Sequence, residues 1–251
     1  KVLEPTDLIN PRSTISGSTN LEVRETKHLF LKLPMVEQRL AEWIKTKEPF
    51  WPDVAYSIAQ QWLKEGLQPR CITRDLKWGF KVNKPGFEDK VFYVWFDAPI
   101  GYMGITKQWA DEQPENRNWK DWWLGAKDVR YVEFMGKDNV PFHSISFPAT
   151  LLATGEDWTF VDYLKGMSYL TFEGGKFSKS EKRGIFAGDA VQEFPADYWR
   201  YWLMSNAPES SDSSFSFDLF ASVINKDLNG VLGQLCFPRF ENDFFKNRRH
   251  G

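Results

Sequence analysis

The chain has 251 residues, 42% hydrophobic and 26% charged, which is enough to bury one large core or two smaller ones and excludes a disordered tail. No apolar run approaches the roughly 18 residues of a membrane-spanning helix, so no membrane partner is expected. A net charge of -2 excludes a global positive field for nucleic acid, and two distant cysteines, Cys71 and Cys236, exclude a disulfide framework and fit a reducing compartment.

Pro5, Pro11, Gly17 and many Ser, Thr and Asn predict loops and short strands over residues 1–26. The chain opens at Lys1 inside this stretch with neither an initiator Met nor a signal peptide, which leads us to expect further sequence upstream. Leu33, Val36, Leu40 and Ile44 then recur at helical spacing behind Pro34, predicting a helix over 35–46. Ile58 and Trp62, four apart and followed by Gly66, predict a second over 54–65.

Two segments then repeat one design, a β-rich run, a turn and a helical pattern. Residues 91–96 lead into Asp97-Ala98-Pro99-Ile100-Gly101-Tyr102, and residues 131–135 into Gly136-Lys137-Asp138-Asn139. Near-continuous apolar runs alternating with helices predict an α/β fold with a parallel sheet covered on both faces, whose ligands bind at the carboxyl ends of the strands. Both turns fall there. Residues 166–222 form a third region, with a hairpin signal at Gly174-Gly175, a helix over 196–205 after Pro195 and a serine-rich punctuation over 210–216. One more amphipathic helix is predicted over 218–235, ahead of the tail Lys246-Asn247-Arg248-Arg249-His250. The 21 Phe, 12 Trp and 8 Tyr require either a large core or an aromatic-lined site.

The octet Gly136-Lys137-Asp138-Asn139-Val140-Pro141-Phe142-His143 suits an anion or a sugar. Gly136 admits a ligand close to the backbone, Asp138 or Asn139 can cap a helix that Pro141 helps to start, and Asp138 can accept from ribose hydroxyls. Standing alone, it reads first as a capped helix with a packed His143. In Lys176-Phe177-Ser178-Lys179-Ser180, two lysines three apart with hydroxyls between them suit charge developing on a polyphosphate leaving group. The absence of G-x-x-x-x-G-K-[ST] disfavours an ordinary phosphate-loop NTPase.

In order and spacing, residues 95–102, the octet at 136–143 and the pentapeptide at 176–180 resemble the class I aminoacyl-tRNA synthetases, and among them the methionyl-tRNA synthetase family, over nearly the whole chain. Residues 70–79, 90–97 and Asn225-Lys226-Asp227-Leu228 strengthen the resemblance. It implies the second half of a Rossmann-type parallel nucleotide-binding fold, followed by a KMSKS-loop region and the start of an α-helical anticodon-binding domain. Residues 1–88 would be the end of a connective insertion and the return to the active site, 89–165 the half-fold, 166–222 the KMSKS and stem-contact region and 223–251 the start of the helical domain.

The implied reaction is ATP-dependent activation of L-methionine to methionyl-adenylate, with Mg²⁺ accompanying ATP, and transfer to tRNA(Met). No covalent enzyme intermediate is involved, so catalysis rests on positioning and electrostatics. By resemblance Lys179 chiefly, with Lys176 and Ser178, meets the pyrophosphate, Gly136 and Asp138 hold the ribose, and Lys137 and Arg74 lie near the nucleotide or the carboxylate. Trp95, Ala98, Pro99, Tyr102, His143 and Phe147 would line the methionine pocket, where rings suit a thioether and Tyr102 offers its hydroxyl to the sulfur.

The sequence also departs from the family. Nothing matches the HIGH signature, so the N-terminal catalytic half is expected to lie outside this chain. Ser13 and Ser16 stand where many relatives carry zinc-binding cysteines, so no zinc is expected, and Glu181-Lys182 separate the pentapeptide from Arg183-Gly184. Two alternatives stay open: a class I synthetase for another aliphatic amino acid, and a non-catalytic tRNA-binding accessory fragment. The expected location is the cytoplasm, an organellar form being compatible.

Overall fold

A computed structural model describes residues 9–12, 16–20, 22 and 25–233. Ser13, Cys236, the tail over 246–250 and most of the expected stub over 223–251 lie outside the described residues.

Strand β1 (Phe30–Leu31) leads into a 3-10 turn at Leu33–Val36 with Pro34 in its first turn, and helix α1 (Glu37–Lys45) follows. Helix α2 spans Asp53–Glu65. Both predicted helices therefore exist, the first beginning as the tighter 3-10 form that Pro34 tolerates. Their apolar stripes meet: Leu33, Val36, Leu40 and Ile44 bury against Ala55 and Ala59.

Strand β2 (Arg70–Cys71) pairs antiparallel with β1, and β3 (Thr73–Arg74) antiparallel with β4 (Val91–Phe92). The expected strand over 91–96 in a parallel sheet is thereby corrected. The strand proper is only Val91 and Phe92, Tyr93 is the last extended residue, and from its carbonyl onward the hydrogen bonds turn inward. Phe96 N–H donates to Tyr93 O at 2.7 Å and Ala98 N–H to Val94 O at 2.8 Å. The chain winds through α3 (Val94–Asp97) into α4 (Ile100–Asp111), and Pro99, with φ -64 already helical, joins the two. A short helix α5 (Lys120–Trp123) follows.

Strand β5 (Val132–Gly136) pairs in parallel with β6 (Tyr163–Met167), from Val132 opposite Tyr163 to Gly136 opposite Met167. A 3-10 turn (Lys137–Asn139), a π-helical turn (Phe142–Ser146) and α6 (Phe147–Thr154) make the crossover. One face of this pair packs on α1, α2 and α6 through Leu164, Val140, Ile145 and Ala149. Gly166 is required there, because a Cβ on it would stand 2.8 Å from Val140 Cγ2. The expectation that both faces are covered is corrected among the described residues, since Phe134 is 70% and Val132 38% exposed on the other face.

Strand β7 (Leu170–Phe172) ends in the predicted hairpin turn, with Phe172 and Gly175 exchanging backbone bonds of 2.8 and 2.9 Å. Helices α7 (Ala187–Glu193) and α8 (Ala196–Ser205) follow, α8 with the bounds expected. The serine-rich stretch is corrected from punctuation to strand β8 (Ser213–Phe215), parallel to β7, because Phe215 is drawn into the core and carries its neighbours into the ladder. Helix α9 (Phe217–Val223), capped by Ser216 Oγ accepting from Leu219 N–H at 3.2 Å, runs on as a π-helical segment at Ile224–Gly233. Much of the aromatic load sits here. Trp199 stacks on Phe220 at 4.4 Å between centroids, and Trp202 meets Phe215 edge-on at 4.9 Å. No helix of the described residues is long and apolar enough to cross a membrane.

Candidate active site

The helical stretch from Trp95 through Ala98 and Pro99 to Tyr102 faces the crossover after β5. Tyr102 Oη lies 2.8 Å from His143 Nε2, and the Tyr102 ring meets Phe147 edge-on at 6.4 Å. Trp95 stacks on Phe142, next to His143 in the chain, at 4.7 Å and 19°. The structure therefore brings Tyr102, His143 and Phe147 together and sets Trp95 beside them, while Ala98 is exposed and Pro99 buried in the linking turn.

The polarity of this pair follows from its third member. His143 Nδ1 lies 2.9 Å from Asn139 O, and a carbonyl can only accept, so Nδ1 carries a proton. Burial holds the His143 pKa below its ordinary value, the Asn139 bond opposing only in part, so the ring is neutral and Nε2 accepts. The Tyr102 hydroxyl must then donate to His143. Its proton is already committed, so the offer of a Tyr102 hydroxyl proton to sulfur requires that this bond be exchanged. Burial first, and the charge of Glu133 second, hold the Tyr102 pKa above its usual value.

At the carboxyl end of β5 the side chains are wet. Asp138 accepts a hydrogen bond from the Tyr169 hydroxyl and makes no helix cap. The expected capping by Asp138 or Asn139 is thus corrected, because both lie within a 3-10 turn that precedes the helix. Lys137 Nζ stands 3.4 Å from Asp212 Oδ1 and 4.8 Å over the Tyr169 ring. Asp212 also accepts from Tyr169 N–H at 2.9 Å. That bond chiefly, then Lys137 and Lys176, holds its carboxyl below the usual carboxylate range. Arg74 stands apart, its guanidinium 3.8 Å over the Tyr93 ring and 2.7 Å from Thr73 O.

The Lys176–Ser180 segment forms one arm and the tip of a hairpin. Ser178 and Arg183 exchange backbone bonds of 2.9 Å each, closing a loop of Lys179, Ser180, Glu181 and Lys182. The two extra residues Glu181 and Lys182 are absorbed at this tip, where Arg183 pairs with Glu181. Phe177 lies against Phe172 and over Gly184, whose φ of 131 and missing Cβ allow the ring to approach. Lys176 and Lys179 are exposed.

Sequence reasoning missed four participants. Arg70 lies 4.9 Å over the Phe142 ring that stacks on Trp95, and Tyr169 and Asp212 bracket Lys137 and Asp138. Glu133 is buried under the Tyr102 cluster and bonded to the Tyr131 hydroxyl. Its one signal was a charge at the centre of an apolar strand. No group of three His, Cys, Asp or Glu able to hold a metal occurs among the described residues.

Comparison with known proteins places these residues in context. The family described as "tRNA synthetases class I (M)" matches residues 1–237. A methionine–tRNA ligase of Streptomyces avermitilis is 57% identical over 242 residues, covering 93% of this chain and 42% of that protein. One from a Ruegeria species is 56% identical over 244 residues with the same coverage of each. The chain thus spans less than half the length of these relatives. Among solved structures, Mycobacterium tuberculosis methionyl-tRNA synthetase in complex with methionyl-adenylate superposes with a TM-score of 0.68 at 25% identity, over 84% of this chain and 40% of that one.

Proposed function

The chain belongs to the class I methionyl-tRNA synthetase family, and from that premise we propose that it is part of the catalytic region of an enzyme that activates L-methionine with ATP and transfers it to tRNA(Met). One observation carries the reading. The His143 that answers Tyr102 in the dry pocket is tied by its other nitrogen to Asn139, next in chain to Asp138 at the wet end of β5. An apolar side-chain site and a polar nucleotide site thus share one turn, as the joining of a thioether amino acid to an adenylate requires.

In this reading the methionine side chain lies among Trp95, Ala98, Pro99, Tyr102, His143 and Phe147, whose rings exclude water and suit sulfur. Asp138 accepts from the ribose hydroxyls, exchanging Tyr169 for the sugar, and Gly136 leaves room for the approach. Lys137 and Arg74 steer the phosphates and the carboxylate. As the methionine carboxylate attacks the α-phosphorus, negative charge grows on the departing pyrophosphate. Lys179, Lys176 and Ser178 on the hairpin meet it without a covalent intermediate. Mg²⁺ enters with ATP and serves as its counter-charge. The HIGH-bearing half supplies the remaining phosphate contacts and covers Val132 and Phe134. The segment that starts at 223 opens the anticodon-binding helices, the chain needs no zinc, and the enzyme works in the cytoplasm.

The test is amino-acid-dependent exchange of labelled pyrophosphate into ATP by the polypeptide that carries this chain, with methionine, leucine, isoleucine and valine compared. Methionine should exceed each of the others by at least about tenfold, the low end of what one methylene decides in an apolar pocket. Leucine, isoleucine or valine exchanging at methionine's rate would overturn the reading.

A further inference from the structure

Glu133 has no place in the mechanism above, yet it is a buried carboxyl with one oxygen left without a partner among the described residues. It sits mid-strand in β5, 7% exposed, bonded to the Tyr131 hydroxyl and close enough to Tyr102 for its charge to act on that hydroxyl. One carboxyl oxygen accepts from the Tyr131 hydroxyl, and the other, Oε2, is fully buried and has no hydrogen-bond partner among the described residues. A buried ion in that position lacks the donors it needs, which is among the costlier arrangements a protein can hold.

The groups facing it cannot supply the missing bond. The Tyr131 proton is already given to Oε1, and the Tyr102 proton to His143 Nε2. His143 in turn gives its Nδ1 proton to Asn139 O. Every proton on this side therefore points away from Oε2. A neutral carboxylic acid removes the charge that Oε2 would otherwise carry without a donor, while Oε1 still accepts from Tyr131.

We propose that Glu133 is a positioning residue of the methionine pocket that must be protonated when methionine is bound, so that methionine binding takes up a proton. This rests on the assignment of Tyr102, His143 and Phe147 to the methionine side chain. The physical reason is desolvation. An apolar thioether that fills the space over Tyr102 displaces water from the pocket and lowers the dielectric around the buried carboxyl, which a neutral acid tolerates where a carboxylate does not. Burial already pushes the Glu133 carboxyl up to about 7, with the Tyr131 bond opposing, and holds Tyr131 above its ordinary value. The transition therefore falls within the working range of pH. The sign follows from linkage. With the bound-state pKa above the free-state value, methionine affinity is full below the free-state pKa and falls as pH rises through it, by at most about tenfold per unit for one proton.

Two measurements on the full polypeptide test this. The first is calorimetric titration with methionine at pH 7.5 in phosphate and in Tris, whose ionisation enthalpies differ. The native protein should take up a sizeable fraction of a proton per methionine, and Glu133→Gln, which keeps a neutral donor in place, should take up none. The second is the pH profile of pyrophosphate exchange between pH 6.5 and 8.5. The native KM for methionine should rise about fivefold or more over that range with little change in kcat. In Glu133→Gln it should stay flat near the native low-pH value. A merely structural glutamate would move neither the proton count nor the profile. Methionine binding with buffer-independent enthalpy in the native protein overturns the proposal even if the variant does not fold, as does a Glu133→Gln profile that still rises. Failure of methionine to bind at all would instead overturn the functional reading on which it rests.

Discussion

The two halves of the candidate site are built on opposite principles. The proposed amino-acid end is the drier one: His143 and Phe147 are buried, Tyr102 and Trp95, 39% and 38% exposed, lie against other rings, and the Tyr102 hydroxyl and His143 Nδ1–H each have an acceptor. The phosphate end is wet: Lys176, Lys179, Asp138 and Asp212 are exposed, and their charges pair loosely across solvent. A discriminating pocket must exist before the ligand arrives, whereas a polyphosphate brings its own charge and can order lysines that were free. Damage to the dry end should therefore appear as lost stability, and damage to the wet end as lost rate.

Phe147→Ala should show the largest effect. The ring is 5% exposed and packed with Met103, Trp123 and Leu151, so its removal leaves a cavity and is expected to destabilise by about 3–5 kcal/mol. That corresponds to a drop of about 6–20 °C in the melting transition of this region. A melting temperature unchanged within 2 °C would mean that this end is no more preformed than the other, and the contrast would fail.

Lys179→Ala should do the reverse. Exposed at the hairpin tip, it supports nothing else, so the melting transition should stay put. Methionine-dependent pyrophosphate exchange should nevertheless fall by about 10²–10³-fold, the usual effect of losing one transition-state donor. Full-rate exchange would remove Lys179 from the reaction.

The same contrast explains what the sequence made legible. Helices α1, α2 and α8 came out near their predicted bounds because each buries a regular apolar stripe. The parallel pair of β5 and β6 and the hairpin at Gly174-Gly175 were equally open to local reading. The failures lie where tertiary bonding overrides local preference. Residues 91–96 are apolar enough for a strand, yet Pro99 and the α4 start behind it wind the chain from Val94 into a helix. Ser213 and Ser214 look like a loop until Phe215 draws them beside β7. The pocket residues were accessible only through family resemblance, since nothing local states that Tyr102 meets His143 across 41 residues. Glu133 stayed hidden because a lone charge in an apolar strand does not tell whether the face it takes is covered.

The smallest predicted effect probes the wet end from its acidic side. Asp212 holds Tyr169 N–H and stands 3.4 Å from Lys137, and its carboxyl feels Lys176 as well. Asp212→Asn keeps an oxygen to accept from Tyr169 but removes the negative charge, so the two lysines lose part of their screening and the local potential becomes more positive. A polyanionic substrate should bind slightly better. We expect the KM for ATP to fall about twofold at 0.05 M salt and the difference to vanish near 1 M, where the screening length is about 3 Å. Because the Asp212 pKa is lowered, its charge is present throughout the neutral range, and the effect should not vary between pH 6.5 and 8.5. A higher KM for ATP, independent of salt, would show instead that Asp212 orders Lys137 for the phosphates, and would make the wet end preformed after all.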